Sequence, residues 1–218
     1  MTGPLVIGDL HGCSDELAAL LDRAGPATGA DVVLVGDLFT RGPDPVGVWR
    51  QVRDGGLRSV LGNHDDRLLR FLDGARQSDT HARDVVAALD AEDRTWRRWL
   101  RERPLFLPLG DWLVVHACLH VSGSRAATTR EMATKFRRWP DNRDGQPFWW
   151  SVYHGPQRVV FGHDAARGHV RIERNGEPWV VGIDTGCVYG QQLTGWYPEE
   201  DRLVQVPARR AYAKLHKP

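Results

Sequence analysis

A chain of 218 residues in which 41% are hydrophobic can bury one sizeable core, so it is one large domain or a domain carrying an inserted lobe. Lys and Arg total 29 against 28 Asp and Glu, and this near-neutral balance excludes the basic field that stable nucleic-acid binding draws on. The 3 cysteines lack Cys-x-x-Cys spacing, which argues against a disulfide framework or a zinc knuckle, and no apolar run approaches a membrane span.

In chain order, Leu5-Val6-Ile7 reads as a buried strand ending in Gly8-Asp9-Leu10-His11-Gly12. The flanking glycines allow a tight turn, in which a carboxylate and an imidazole two residues apart can address one ion. The strand begins so soon after Met1 that no signal peptide fits before it, and the cytoplasm is the expected compartment. Ser14 is placed as the cap of a helix starting Asp15-Glu16-Leu17, with Leu17, Leu20 and Leu21 as its buried stripe and Gly25 as its stop. Asp31-Val32-Val33-Leu34-Val35 is a second buried strand, running into Gly36-Asp37-Leu38-Phe39-Thr40-Arg41-Gly42-Pro43. A short helix over 45–54 uses Val46, Val48, Trp49 and Val52, and Arg58-Ser59-Val60-Leu61 is a third strand ending in Gly62-Asn63-His64-Asp65. Strand and helix alternate to this point, which predicts parallel strands covered by helices, with ligands beyond the strands' carboxyl ends.

From about 66 to 104 the pattern is helical and highly charged, with Leu68, Leu72, Val85, Leu89, Trp96 and Leu100 among its apolar positions. It reads as a helical insertion with a solvated charged face, within one domain spanning 1–218. Trp112-Leu113-Val114-Val115 is a strand ending in His116-Ala117-Cys118. The stretch 122–157 interleaves Lys135, Arg137, Arg138 and Arg143 with Trp139, Phe148, Trp149, Trp150 and Tyr153. Such a mixture either holds phosphate and stacks bases or packs against the sheet. Arg158-Val159-Val160-Phe161 ends in Gly162-His163-Asp164. Four short runs follow, at 169–172, 179–184, 193–197 and 203–206, with a hairpin signal at Asn175-Gly176. They are expected to form an antiparallel meander making a second sheet packed on the first, and the basic tail from Arg209 is expected to fray.

Strand ends thus carry Asp9 with His11, Asp37, Asn63 with His64, His116, and His163, nearly all beside a glycine. One histidine at a strand end is an ordinary loop residue, but this recurrence is hard to obtain by accident. Carboxylate and amide oxygens mixed with imidazoles suit Mn²⁺, Fe or Zn²⁺ better than Ca²⁺, and a pair of such ions sharing one carboxylate can activate water for attack on a phosphoryl group.

The series Gly8-Asp9-x-His11-Gly12, Gly36-Asp37-x-x-x-Arg41-Gly42, Gly62-Asn63-His64-Asp65, His116-Ala117 and Gly162-His163 resembles the signatures of the calcineurin-like metallophosphoesterases, in the order of the phosphoprotein-phosphatase branch. The run from Gly182 to Gly190, followed by Leu193-Thr194, is similar to bacterial members that include diadenosine tetraphosphatases and small serine/threonine phosphatases. The resemblance implies an α/β (α+β) fold of two packed mixed β-sheets flanked by helices. It also implies two divalent metal ions, Mn²⁺ first, with Fe, Zn or Ni as alternatives. Carried over by position, Asp9 and His11 bind the first ion, Asp37 bridges, and Asn63, His116 and His163 bind the second. Arg41 grips the substrate phosphate with Asn63 and His64 beside it, and His64 is the general acid. A second phosphate-binding arginine is expected among Arg137, Arg138 and Arg143. The chain departs from the family at Thr40, where Asp is usual, and at Cys118, where Gly is usual. The function this implies is hydrolysis of phosphate esters or anhydrides of a nucleotide-type substrate such as a dinucleoside polyphosphate, with a serine/threonine phosphoprotein phosphatase or a non-catalytic phosphate-binding module as alternatives. No membrane partner is expected.

Overall fold

The computed structural model describes residues 3–26, 28–75 and 78–214. β1 (Leu5–Ile7) and β2 (Val32–Leu34) are wholly buried runs without a polar face, the mark of strands covered on both sides. Because successive side chains alternate, Leu5, Ile7, Val32 and Leu34 enter a core shared with helices, while Val6, Val33 and Val35 enter a second core on the opposite face. β3 (Arg58–Ser59) continues the parallel set, pairing Leu34 with Ser59.

The remaining strands are β4 (Phe106–Leu109), β5 (Trp112–Val115), β6 (Arg158–Phe161), β7 (Val170–Arg174), β8 (Glu177–Gly182), β9 (Gln192–Tyr197) and β10 (Arg202–Pro207). They complete two five-stranded mixed sheets, β10-β9-β1-β2-β3 and β4-β5-β6-β8-β7. In the second sheet β5, β6 and β8 are parallel, and antiparallel strands close its edges. Trp112, Val114, Val160 and Val181 meet Val6 and Val33 between the sheets, while Leu113, Val115, Val159 and Val180 face outward.

α1 (Ser14–Ala24), α2 (Pro45–Gly55), α3 (Asn63–Leu72), α4 (Thr80–Glu92) and α5 (Thr95–Arg101) share the first sheet's outer core. Asp44 caps α2 by accepting from Gly47 N at 2.8 Å, and Pro45 opens its first turn. α6 (Arg130–Lys135) and the irregular chain around Trp149 cover the second sheet. Among the described residues, no helix is long and apolar enough to cross a membrane.

Several expectations change. The C-terminal runs do not form a sheet of their own: β7 and β8 join the second sheet, whereas β9 pairs with β1 and carries β10 into the first. Alternation locates strands but not their partners, and β9 is drawn to β1's open edge by burying Trp196 between the sheets. The Asn175-Gly176 turn is present, both residues at positive φ. Ser14 does not cap α1; its hydroxyl donates to Asp44 at 2.6 Å, and Leu21 is only partly buried. The charged face of the 66–104 segment is exposed, as expected, and many of its charges also pair with one another and with α2, as Arg101 does with Asp73 and Glu92 with Arg50. The tail does not fray before the described residues end: Arg209 N and the Tyr212 hydroxyl both donate to Glu16, at 3.0 and 2.8 Å. Residues 215–218 lie outside the described residues.

Candidate active site

Each parallel strand hands the chain to a loop at its carboxyl end. β1 leads to Asp9 and His11, β2 to Asp37, β3 to Asn63, β5 to His116, β6 to His163 and β8 to Asp184. The side chains that need an oriented loop sit on strained backbone. His11, Asp37, Arg41 and His163 all have positive φ, at 48, 55, 73 and 69°. Each such residue costs ~1–3 kcal/mol and is held by its surroundings. Here His11 N donates to Asp37 O at 2.7 Å and Gly12 N to Leu38 O at 2.8 Å. Gly62 is required by close approach, because a Cβ there would collide with the backbone nitrogen and Oδ1 of Asp37.

Asp9, His11 and Asp37 offer ligand atoms within 4.8 Å of one another, and so do Asp37, His116 and His163. Asp37 belongs to both groups and divides its oxygens between them. His11 Nε2 is 3.6 Å from Oδ2, and His116 Nε2 is 3.5 Å from Oδ1. The tautomers follow from carbonyls, which can only accept. His116 Nδ1 is 2.8 Å from Val35 O and must carry the proton, leaving a bare Nε2. That lone pair faces the Asn63 amide oxygen at 3.0 Å, two acceptors with no proton between them. His163 likewise donates from Nε2 to Lys135 O at 2.9 Å, freeing Nδ1, and His11 Nδ1 is buried without a hydrogen-bond partner.

Electrostatics point the same way. Burial, followed by Asp184 and Asp37, raises the Asp9 carboxyl well above its usual range. Burial pushes Asp37, Asp65 and Asp184 each to about 7. Burial also lowers the imidazoles, His116 to about 4 and both His11 and His163 well below the ordinary value. Crowded carboxylates whose burial outweighs the pull of Arg41 and Arg137, set among neutral imidazoles with bare nitrogens, form a donor set suited to divalent cations.

His64 lies beside this cluster, its N donating to Asp37 Oδ1 at 2.8 Å and its Nδ1 2.9 Å from the Thr40 hydroxyl. Burial, then the nearby Arg41, lowers its pKa to about 3. The Arg41 guanidinium donates to the Tyr189 hydroxyl, and its backbone N donates to His81 Nε2 at 2.9 Å. Of the three arginines considered, Arg137 alone lines the cleft, which measures about 280 Å³. Its Nη2 donates to His163 O at 2.8 Å, and its Nε is 3.4 Å from Asp164. Arg138 stacks over Phe148 and Arg143 pairs with Asp141 instead. Trp149 and Tyr153 are buried under the second sheet, so these rings pack the fold rather than offering a stacking surface.

All eight residues singled out from the sequence therefore meet at the cluster. Sequence reasoning assigned no role to Asp184, Asp164, Tyr189 or Asp65. Asp184 and Tyr189 stood inside the quoted run from Gly182, and Asp65 inside the Asn-His-Asp motif, so the signal was present but mute about direction. Asp65 is completely buried and accepts from Asp37 N, Leu38 N and Gly62 N at 2.8, 3.0 and 3.1 Å, fastening the β2 loop to the start of α3.

A family model described as calcineurin-like phosphoesterase matches residues 4–185. The asymmetrical bis(5'-nucleosyl)-tetraphosphatase of Bacillus velezensis is 33% identical, across 95% of this chain and 93% of its own length. The symmetrical enzyme of that name from Janthinobacterium sp. is 31% identical, across 92% and 94%. A crystal structure of a candidate diadenosine tetraphosphatase superposes with a TM-score of 0.81 at 30% identity, covering 95% of each chain.

Proposed function

The chain belongs to the calcineurin-like phosphoesterase family, and on that footing we propose that it hydrolyses a phosphoanhydride of a dinucleoside polyphosphate at this cluster. The observation that carries the reading is Asp37, which presents one carboxylate oxygen to His11 and the other to His116. In this reading Asp9 and His11 hold one cation, Asn63, His116 and His163 hold the other, and Asp37 serves both. Two divalent ions there, Mn²⁺ first for an oxygen and imidazole donor set, would polarise the phosphoryl group and make a water nucleophilic near neutral pH.

The chain's own groups then bind and protonate. Arg41 and Arg137 both line the cleft, and planar guanidinium forks suit two oxygens of one phosphate. Tyr189 holds the Arg41 fork in place. His64 protonates the departing oxygen with a proton taken up from solvent, which the substrate's anionic phosphate favours by raising the imidazole's pKa from its low value in the free site. A Thr40 hydroxyl orients His64 but cannot stabilise its imidazolium as a carboxylate would. The site is accordingly suited to leaving groups that need little protonation, which favours a phosphoanhydride over a phosphoserine.

Turnover with Mn²⁺ on diadenosine tetraphosphate, ATP and a phosphoserine peptide tests this. The expected result is the highest kcat/KM on diadenosine tetraphosphate. A higher value on the peptide would make the chain a phosphoprotein phosphatase, and no turnover with any divalent metal would make it a binding module.

A further inference from the structure

A second cleft, of about 290 Å³, opens across Arg41, Asn63 and His64 toward Arg67, Arg70 and Lys135. We propose that it binds the phosphates on the leaving-group side of a polyphosphorylated substrate, with Lys135 as the cation that selects for them. The proposal rests on the phosphoesterase reading above.

The sequence of α3 builds one wall. Asn63, Arg67 and Arg70 fall at i, i+4 and i+7, so one helix face carries the amide and then two guanidiniums over ~10 Å. Carboxylates fix the arginines, and one of them, Asp66, itself lines the cleft. Arg67 pairs with Asp79, the N-cap of α4, and Arg70 Nε is 2.8 Å from Asp66 Oδ2. Asp66 is 3% exposed, and its other oxygen takes Arg130 at 2.7 Å. Lys135, the last residue of α6, also lines the cleft. Its carbonyl is tied to His163 Nε2 at 2.9 Å, while its ammonium makes no ion pair among the described residues. The residues lining the cleft thus set the cations Arg41, Arg67, Arg70 and Lys135 against the single carboxylate of Asp66.

His64 lines both clefts. A leaving oxygen protonated there starts a path that runs directly into the basic one. Apart from His64, the residues lining the second cleft offer no ring for a base to stack on, so its chemistry fits a chain of phosphates. A small monoester such as p-nitrophenyl phosphate has no phosphate to place in it.

The test compares wild type with Lys135→Ala, Lys135→Glu and Lys135→Arg, using the ratio of kcat/KM on diadenosine tetraphosphate to that on p-nitrophenyl phosphate. A charge-assisted contact of this kind is worth about tenfold. Lys135→Ala should lower the ratio by about that factor, Lys135→Glu by more, and Lys135→Arg should restore most of it. The inhibition constant of tripolyphosphate against p-nitrophenyl phosphate hydrolysis should rise in step. Ratios and inhibition constants within about twofold of wild type in Lys135→Glu would overturn the proposal. Wild type that cleaves p-nitrophenyl phosphate but not diadenosine tetraphosphate would instead overturn the substrate reading, and tripolyphosphate inhibition would then judge the cleft alone.

Discussion

Thr40 and Asp37 are the side chains on which the proposed chemistry turns. The Thr40 hydroxyl is 2.9 Å from His64 Nδ1, and Thr40 itself is 1% exposed. Thr40→Asp would place a carboxylate against the imidazole and favour its protonated form, so His64 should hold its proton to higher pH. The alkaline limb of the pH–rate profile should move upward, chiefly on a phosphoserine peptide, where general-acid help is worth about 10²–10⁴-fold. Equal movement on p-nitrophenyl phosphate, or none on either substrate, would show that Thr40 does not tune His64. At Asp37, replacement by Asn removes the charge that both imidazole groups share. Bound metal measured by elemental analysis should fall below that of His11→Ala or His163→Ala, and activity should be lost with it. Two ions retained in Asp37→Asn would refute the bridging role.

At the scale of elements, the site depends on how α3 is fastened to the loop after β2. Asp65 receives three backbone N–H groups from two segments while fully buried. Asp65→Ala leaves those donors without partners, and each buried donor so orphaned costs about 1–3 kcal/mol. Urea unfolding should show a loss of ~3 kcal/mol or more even without metal, and a loss below about 1 kcal/mol would make Asp65 incidental. α4 contributes in a similar way, since His81 accepts from the backbone of Arg41 and so steadies the left-handed residue whose guanidinium we propose to bind phosphate. That contact joins a helix of the charged 66–104 segment to a loop 40 positions earlier in the chain, and nothing in local periodicity announces it.

Across the whole molecule, pH and metal should act together on stability. In the metal-free protein Asp37, Asp65 and Asp184 have pKa values pushed to about 7 by burial, against 3.8 when free. Folding therefore takes up protons between those limits; their contribution is fully present below about pH 4 and is lost as pH rises through 7. His64 and His116, lowered to about 3 and about 4, act oppositely, stabilising above 6.5 and losing that contribution as pH falls toward 4. Cations need ionised carboxylates and neutral imidazoles, so the rise in Tm on adding Mn²⁺ should be larger at pH 8 than at pH 6. Equal rises measured by thermal denaturation would contradict a buried carboxylate–imidazole site. Much of this was legible in the sequence, because the relevant physics is local. Buried strands are continuous apolar runs, glycines mark tight turns, and Asp9, His11, Asp37, Asn63, His116 and His163 lie just past strand ends. What only the tertiary structure decided were relations between distant segments. It paired β9 with β1, chose Arg137 over Arg138 and Arg143, turned Asp184 and Tyr189 into the cleft, and aligned Arg67, Arg70 and Lys135 along a second one. These outcomes depend on which edge or cavity a side chain meets once two sheets are stacked, and a one-dimensional pattern carries no information about that.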